Sequence, residues 1–289
     1  MTKIKIITDS ASDITMELGK ELGITVLPLT VMIGDKSYVS GVDFTNDQFY
    51  EMMDNYEGVP KTSQVTLFAY KEAFEQAYKE GYTDIINVTI NSQGSGGYNN
   101  SVMAAEEFFE ENPDAKGKVN IFNLDSRSYS AGYGYPVIEA AKKAEKGCSA
   151  QEIVDYIQDW IAHLSIFFAP YSLKYAKKSG RIPSAAAFVG EVMGLRPIMR
   201  IEDWKITTET KVRGDKAIIP KLIECCEKEQ IPKTPYCVVY GNDLTIRDDF
   251  IKALTQKFGY PPAEVFQVGA AIAINAGPRV AGLIFKAQR

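Results

Sequence analysis

Two short segments carry residue types that can hold an anion without a metal. Lys61-Thr62-Ser63-Gln64 follows Pro60 and precedes a helical pattern beginning at Leu67. Hydroxyl and amide groups at the start of a helix can grip a carboxylate or phosphate, assisted by free N–H groups and the helix dipole. The same residue types also favour simple helix capping, so both roles stand open for Thr62, Ser63 and Gln64. The second segment, Asn91-Ser92-Gln93-Gly94-Ser95-Gly96-Gly97, lies between a strand pattern and a helix pattern. In a parallel α/β sheet ligands bind beyond the carboxyl ends of strands, where such loops sit. Its glycines, Gly96 among them, permit unusual dihedrals and close backbone approach, while Ser95 adds a hydroxyl donor. The run fits neither GxGxxG nor the P-loop, which needs a following Lys-Ser or Lys-Thr, and this argues against nucleoside triphosphate chemistry. An ordinary strand-to-helix turn is the alternative, although it does not require so many glycines.

Acidic and basic groups offer other chemistry. Asp9-Ser10-Ala11-Ser12-Asp13 and Asp125-Ser126-Arg127 both fall at predicted strand ends. Asp9, Asp13 or Asp125 can be read as metal or acid–base groups of an enzyme acting on a small phosphorylated or carboxylated substrate. Helix capping and loop-anchoring hydrogen bonds are the stronger expectation for these acids. Lys174, Lys177, Lys178, Arg181, Arg196, Arg200, Arg213 and Lys216 form a basic set on an acidic chain. A solvated face explains such runs, yet Arg181 after Gly180 and Arg213 before Gly214 sit in loop contexts where an arginine reaches a carboxylate bidentately. Asn275-Ala276-Gly277-Pro278-Arg279 closes an apolar run, Val268–Ile274, that reads as a buried strand. Gly-Pro is a turn signal first, and Asn275 at that strand end can donate into a neighbouring cleft.

Standard catalytic machinery is missing from the residue pattern. The only histidine is His163, no Ser-x-x-Lys or nucleophile-elbow sequence occurs, and the four cysteines form no CxxC pair. Zinc sites need several Cys and His ligands, so buried reduced thiols are expected, with no metal and no cofactor. No catalytic residue is assigned.

The elements that must position these groups alternate. Strands are predicted at Lys3–Thr8, within Ile24–Ile33, at Asp84–Ile90 and at Val119–Leu124. Helices fall between them: one capped by Ser12 or Asp13 and ended by Gly23, then Phe49–Tyr56, Phe68–Lys79, Tyr98–Glu111, and one around Gly134–Glu145. Thr45 with Gln48, and Ser149 with Glu152 before a helix reaching His163, make capping boxes. Alternation of this kind implies a mostly parallel sheet covered on both faces. After about residue 164 the texture changes to a strand at Ile166–Ala169, a helix at Tyr171–Ser179, antiparallel partners Ile198–Ile201 and Lys205–Val212, and a further α/β layer. The expected organisation is therefore α/β in two domains, 1–164 with a three-layer mostly parallel sheet and 165–289 with a two-layer mixed sheet. The segment near 60–80 is a candidate to cross to the second domain.

At 289 residues with 45% hydrophobic and 24% charged content, the chain has an ordinary globular composition. Its net charge of -5 lacks the basic footprint that phosphate backbones demand, so no nucleic-acid partner is expected. No stretch approaches the roughly 18 apolar residues of a membrane span, and the opening residues lack an apolar signal core, so a cytoplasmic location is expected. The absence of heptads and of an apolar stripe points to a monomer.

In combination, these motifs resemble the DegV family, bacterial fatty-acid-binding proteins that serve as carrier subunits of a fatty acid kinase. The resemblance runs through Thr8-Asp9-Ser10-Ala11-Ser12-Asp13, Thr62-Ser63-Gln64, the Ser92 to Gly96 loop and Lys177-Lys178-Ser179-Gly180-Arg181-Ile182. Leu195-Arg196-Pro197-Ile198, Val212-Arg213-Gly214 and Gly277-Pro278 follow in order. It implies two α/β domains with an acyl tunnel between or beside them, and a lipid-binding carrier rather than an enzyme. It also implies a carboxylate-binding role for Thr62 and Ser95, flanked by Ser63, Gln64, Gly96, Asn275 and Arg181. The partners implied are a long-chain fatty acid and a fatty acid kinase subunit, to which the carboxylate is presented for acyl-phosphate formation. Three departures stand out. The loop that usually reads Leu-Ser-Gly-Thr is Gly94-Ser95-Gly96-Gly97, the usual histidine before Gly-Pro is Asn275, and the usual glycine after it is Arg279.

Overall fold

The structure is a computed structural model describing residues 3–180, 182 and 194–288. It divides into two compact units. The first takes the described residues up to Val31, Ser37–Asp43 and Thr62–Ala162, and the second takes Met32–Lys36, Phe44–Lys61 and the described residues from His163 onward.

The first unit is built on β1 (Ile4–Asp9), β2 (Ile24–Leu27), β6 (Asp84–Thr89) and β7 (Asn120–Asp125), in the order β2-β1-β6-β7. Every neighbouring pair is parallel. β6 is buried at each of its positions, so both of its faces are covered, as the apolar Ile85, Ile86 and Val88 require. The helices are α1 (Met16–Glu21), α3 (Leu67–Lys79), α4 (Gly97–Glu111), α5 (Ala131–Glu145) and α6 (Ala150–His163). Because all strands run the same way, the loops 10–15, 90–96 and 126–130 leave from one edge of the sheet.

Local chemistry explains most boundaries. In α6 the Ser149 hydroxyl accepts from Glu152 N at 3.3 Å while the Glu152 carboxylate accepts from Ser149 N at 2.8 Å, a closed capping box. Thr45 and Gln48 do the same for α2 (Asn46–Asp54) in the second unit. The cap of α1 is Thr15, not Ser12 or Asp13. Ser12 is drawn instead into a short 3-10 turn, where its hydroxyl donates to Asp9 O at 2.7 Å. Ile24–Ile33 breaks into β2 and β3 (Thr30–Ile33); β3 joins β4 (Lys36–Val39) and β5 (Lys61–Ser63) in a small sheet of order β4-β3-β5.

The second unit carries a six-stranded mixed sheet of order β10-β9-β8-β13-β11-β12. Its strands are β8 (Leu164–Pro170), β9 (Leu195–Glu202), β10 (Lys205–Arg213), β11 (Tyr236–Tyr240), β12 (Glu264–Gln267) and β13 (Val280–Lys286). β9 and β10 form the expected antiparallel pair, turning through Asp203 and Trp204, both at positive φ. Phe167, Ala169, Leu283 and Phe285 alternate onto one face, where α8 (Ile218–Glu227) and α9 (Leu244–Phe258) contribute Leu222, Cys226 and Phe250. The Phe167 and Phe285 rings stack at 5.9 Å.

The largest departure from expectation is near the C-terminal end of the second unit. Val268–Ile274 is not a strand; most of it forms α10 (Ala270–Ala276). Its Ala-Ala-Ile-Ala-Ile run has no alternation of two, and alanine is the strongest helix former. Gly277, at φ +87°, ends the helix. α7 is likewise shorter than read, Lys174–Ser179, and α5 starts three residues before Gly134 and accommodates Pro136.

Phe167 is fully buried at the centre of the second unit's cluster. Phe167→Ala should therefore cost about 3–5 kcal/mol of unfolding free energy in urea. A loss below about 1 kcal/mol would show that this cluster is not the core of that unit.

Candidate functional site

The loop edge of the first unit's sheet is held by two carboxylates. Asp9 ends β1 and is almost wholly buried. Its Oδ1 accepts from Ala11 N at 3.0 Å and from the Tyr133 hydroxyl at 2.6 Å, and its Oδ2 accepts from Ile90 N at 2.8 Å. One side chain thus ties the end of β1 to the end of β6 and to α5. Burial raises the Asp9 carboxyl above its ordinary range, and the donors from Tyr133, Ile90 and Ala11 oppose that rise. Asp125, ending β7, accepts from Ser92 N at 3.1 Å, from the Ser92 hydroxyl at 2.5 Å and from Arg127 N at 2.9 Å. Asp13 accepts from the Ser130 hydroxyl, whose own backbone N–H donates to Ala11 O at 3.0 Å. Asp13, Arg127 and Ser130 all sit at positive φ, so local backbone strain gathers on this edge. All three acids have the loop-anchoring bonds expected of them.

The glycine-rich loop rests on this frame. Asn91 O accepts from Gly94 N at 3.0 Å and from Ser95 N at 3.1 Å, which winds the chain into α4. Asn91 Nδ2 donates to the Tyr129 hydroxyl at 3.0 Å. A Cβ at Gly94 would stand 2.6 Å from that same hydroxyl, so close approach explains this glycine. Gly96 is the N-cap of α4 and, lacking a side chain, makes no cap bond itself. Its N–H donates to Gln64 Oε1 at 2.8 Å, and a Cβ there would meet the Gln64 amide at 2.6 Å. Asn100 Nδ2 adds a bond to Val65 O at 2.8 Å. The segments 64–65 and 96–100 are therefore stitched together. Ser95 is half-buried, and its Oγ accepts from Gly97 N at 3.4 Å, which leaves its O–H to donate elsewhere.

Thr62, Ser63 and Gln64 are all exposed. Thr62 and Ser63 lie in β5 and do not cap α3, because the Thr66 hydroxyl accepts from Ala69 N at 3.2 Å in that role. The capping alternative for these hydroxyls is thereby removed. In the second unit Asn275 sits in α10 rather than at a strand end, and its Nδ2 donates to Ala271 O at 2.8 Å. Arg279 is exposed and engaged with Asp243 at 3.1 Å while lying over the Tyr171 ring. Arg196 pairs with Asp215 at 2.7 Å, and Arg200 clasps Glu229 at 2.7 and 3.0 Å. Two of the cations between 174 and 216, Arg196 and Arg200, are thus matched to acids of the same unit. Arg213 ends β10 rather than lying in a loop, and Arg181 falls outside the described residues.

The residues that sequence reading passed over are tyrosines. Tyr133 and Tyr70 are fully buried beneath the loop edge, and Tyr129 braces Asn91. The only available signal was the Ser128-Tyr129-Ser130 run directly after the Asp125 strand end.

The model of the DegV family, COG1307, described as uncharacterised protein, matches residues 3–288. The chain belongs to the DegV family. It is 32% identical to a DegV domain-containing protein of Caldanaerobacter subterraneus subsp. tengcongensis over 99% of both chains. A stearic acid-binding protein from Eubacterium ventriosum shares 25% identity, with a TM-score of 0.87 over 99% of this chain and 98% of that one. The Streptococcus pneumoniae fatty acid kinase (Fak) B3 protein loaded with linoleic acid has the same fold, with a TM-score of 0.83 at 20% identity over 100% of both chains. This DegV chain thus has the family's mixed α/β architecture throughout. Among its described residues no helix is long and apolar enough to cross a membrane.

Tyr133→Phe tests the Asp9 anchor. The native state keeps the raised Asp9 protonated to higher pH than the unfolded chain does, so Asp9's contribution to stability falls as pH climbs through its folded pKa. Removing the phenol takes away a donor to the ionised form and raises that pKa further. The variant should lose about 1.5–3 kcal/mol near pH 8, and less at the acidic end where Asp9 is neutral. Urea midpoints across pH check this, and a penalty independent of pH would overturn the anchor role.

Proposed function

We propose that this DegV chain binds a long-chain fatty acid and holds its carboxylate at the Gly94–Gly97 loop, with Ser95 and Thr62 as hydroxyl donors. The observation that carries the reading is the start of α4. The N-cap residue Gly96 has no side chain to cap that helix, and the half-buried Ser95 hydroxyl accepts from its first N–H group while keeping its own proton to donate. Free N–H groups and a hydroxyl at a helix N-terminus suit an anion. The release of Thr62 from any capping duty leaves its hydroxyl for the same ligand, with Ser63, Gln64 and Gly96 shaping the surroundings. The stearic acid-binding relative from Eubacterium ventriosum supplies the ligand class.

The acyl tail occupies an apolar tunnel in this reading. Each buried methylene contributes about 0.8 kcal/mol, so the tail supplies most of the affinity and the hydroxyls set the orientation. The carrier acts as a cytoplasmic monomer and presents the carboxylate to a kinase subunit, which brings the nucleotide and its metal for acyl-phosphate formation. The sequence lacks a P-loop of its own, and the Fak B3 protein of Streptococcus pneumoniae shares its fold.

Native mass spectrometry of the purified protein, followed by organic extraction, should find an equimolar co-purified fatty acid. Ser95→Ala and Thr62→Ala should each weaken retention by about tenfold, the cost of one hydrogen bond to a charged group. Unchanged binding in both variants and in their combination would sink the carboxylate assignment.

A further inference from the structure

Beneath the glycine-rich loop lies a polar atom whose situation needs explaining. The Tyr70 side chain, on the first turn of α3, is fully buried, and its hydroxyl has no hydrogen-bond partner. Buried phenols normally find one, because an unmade bond leaves the desolvation of the hydroxyl uncompensated. The neighbourhood of this hydroxyl is specific. A Cβ built on Gly97, the first residue of α4, would stand 3.3 Å from Tyr70 Oη and 3.7 Å from Ser95 Oγ. Tyr70 Oη and Ser95 Oγ therefore border the same small space, the one that any side chain at position 97 would fill. Gly97 has no positive φ that would demand glycine, so its lack of a side chain is a matter of space rather than backbone conformation.

We propose that the Tyr70 hydroxyl is a third head-group donor, reaching an oxygen of the ligand carboxylate through the space that Gly97 leaves open. The inference rests on the fatty-acid reading above and adds a residue from α3 to it. Three features converge on one spot: a helix start whose N-cap is a glycine, the Ser95 hydroxyl on its first N–H, and an unpartnered buried donor at the same turn. Burial lifts the Tyr70 phenol well above its ordinary range, so it serves as a neutral donor.

The test measures oleic acid and oleyl alcohol binding to the full-length protein, to Tyr70→Phe and to Gly97→Ala. Tyr70→Phe should weaken oleic acid by about tenfold and the alcohol much less, since a bond to a charged acceptor is the stronger kind. The unfolding midpoint of the ligand-free variant should be unchanged or higher, because phenylalanine removes an unpaired polar atom; a merely structural tyrosine would lower it. Gly97→Ala should weaken oleic acid too, and the double variant should lose less than the sum of the two. Oleic acid bound equally by wild type and Tyr70→Phe overturns the Tyr70 role while leaving the carrier reading intact, as it would if only a trapped water filled the space. A wild-type protein that takes up no oleic acid overturns both.

Discussion

A parallel sheet sends every one of its strands out at the same edge, and there the ladder stops supplying partners to the backbone. In this protein the deficit is met by carboxylates placed at the strand ends. Asp9 gathers donors from its own turn, from the first residue after β6 and from α5. Asp125 gathers them from both flanking loops. A buried acid is costly unless its oxygens are saturated, and saturating them leaves the loops little freedom. The conformations of 10–15, 90–96 and 126–130 follow from that one constraint.

The candidate site inherits its geometry from this arrangement. Ser92 is pinned to Asp125, and Asn91 turns the chain through Gly94 and Ser95. The serine hydroxyl therefore arrives at the start of α4 by construction. Gln64 then fastens the neighbouring segment to Gly96. The groups left to meet a ligand are neutral donors. A set of hydroxyls and N–H groups can orient a carboxylate without burying it in an ion pair. Three arginines of the second unit show the opposite economy: Arg196, Arg200 and Arg279 are each already matched to an acid of the same unit.

Much was legible from residue order. The strand–helix alternation, the two capping boxes, the β9–β10 pair and the start of α4 all depend on signals within a few residues, and local chemistry decides them. The Val268–Ile274 run reads as a strand yet folds mostly as a helix, because a short apolar stretch has no period long enough to separate the two. The cap of α1 was misplaced for a different reason: Ser12 and Asp13 are good caps in isolation, yet Asp9 and Ser130 hold their neighbourhood in another conformation.

The sequence alone determined the family, the α/β class, the glycine-rich loop and the identity of the hydroxyls that could serve a head group. These are properties of residue type and short spacing. Only the tertiary structure decided which of those groups are still unengaged. It assigned the α3 cap to Thr66 and so released Thr62, committed Asp9 and Asp125 to the frame, and brought Tyr70 under Gly97. Whether a polar atom is satisfied depends on partners tens of residues away, and chain order carries no signal for a contact that folding alone creates.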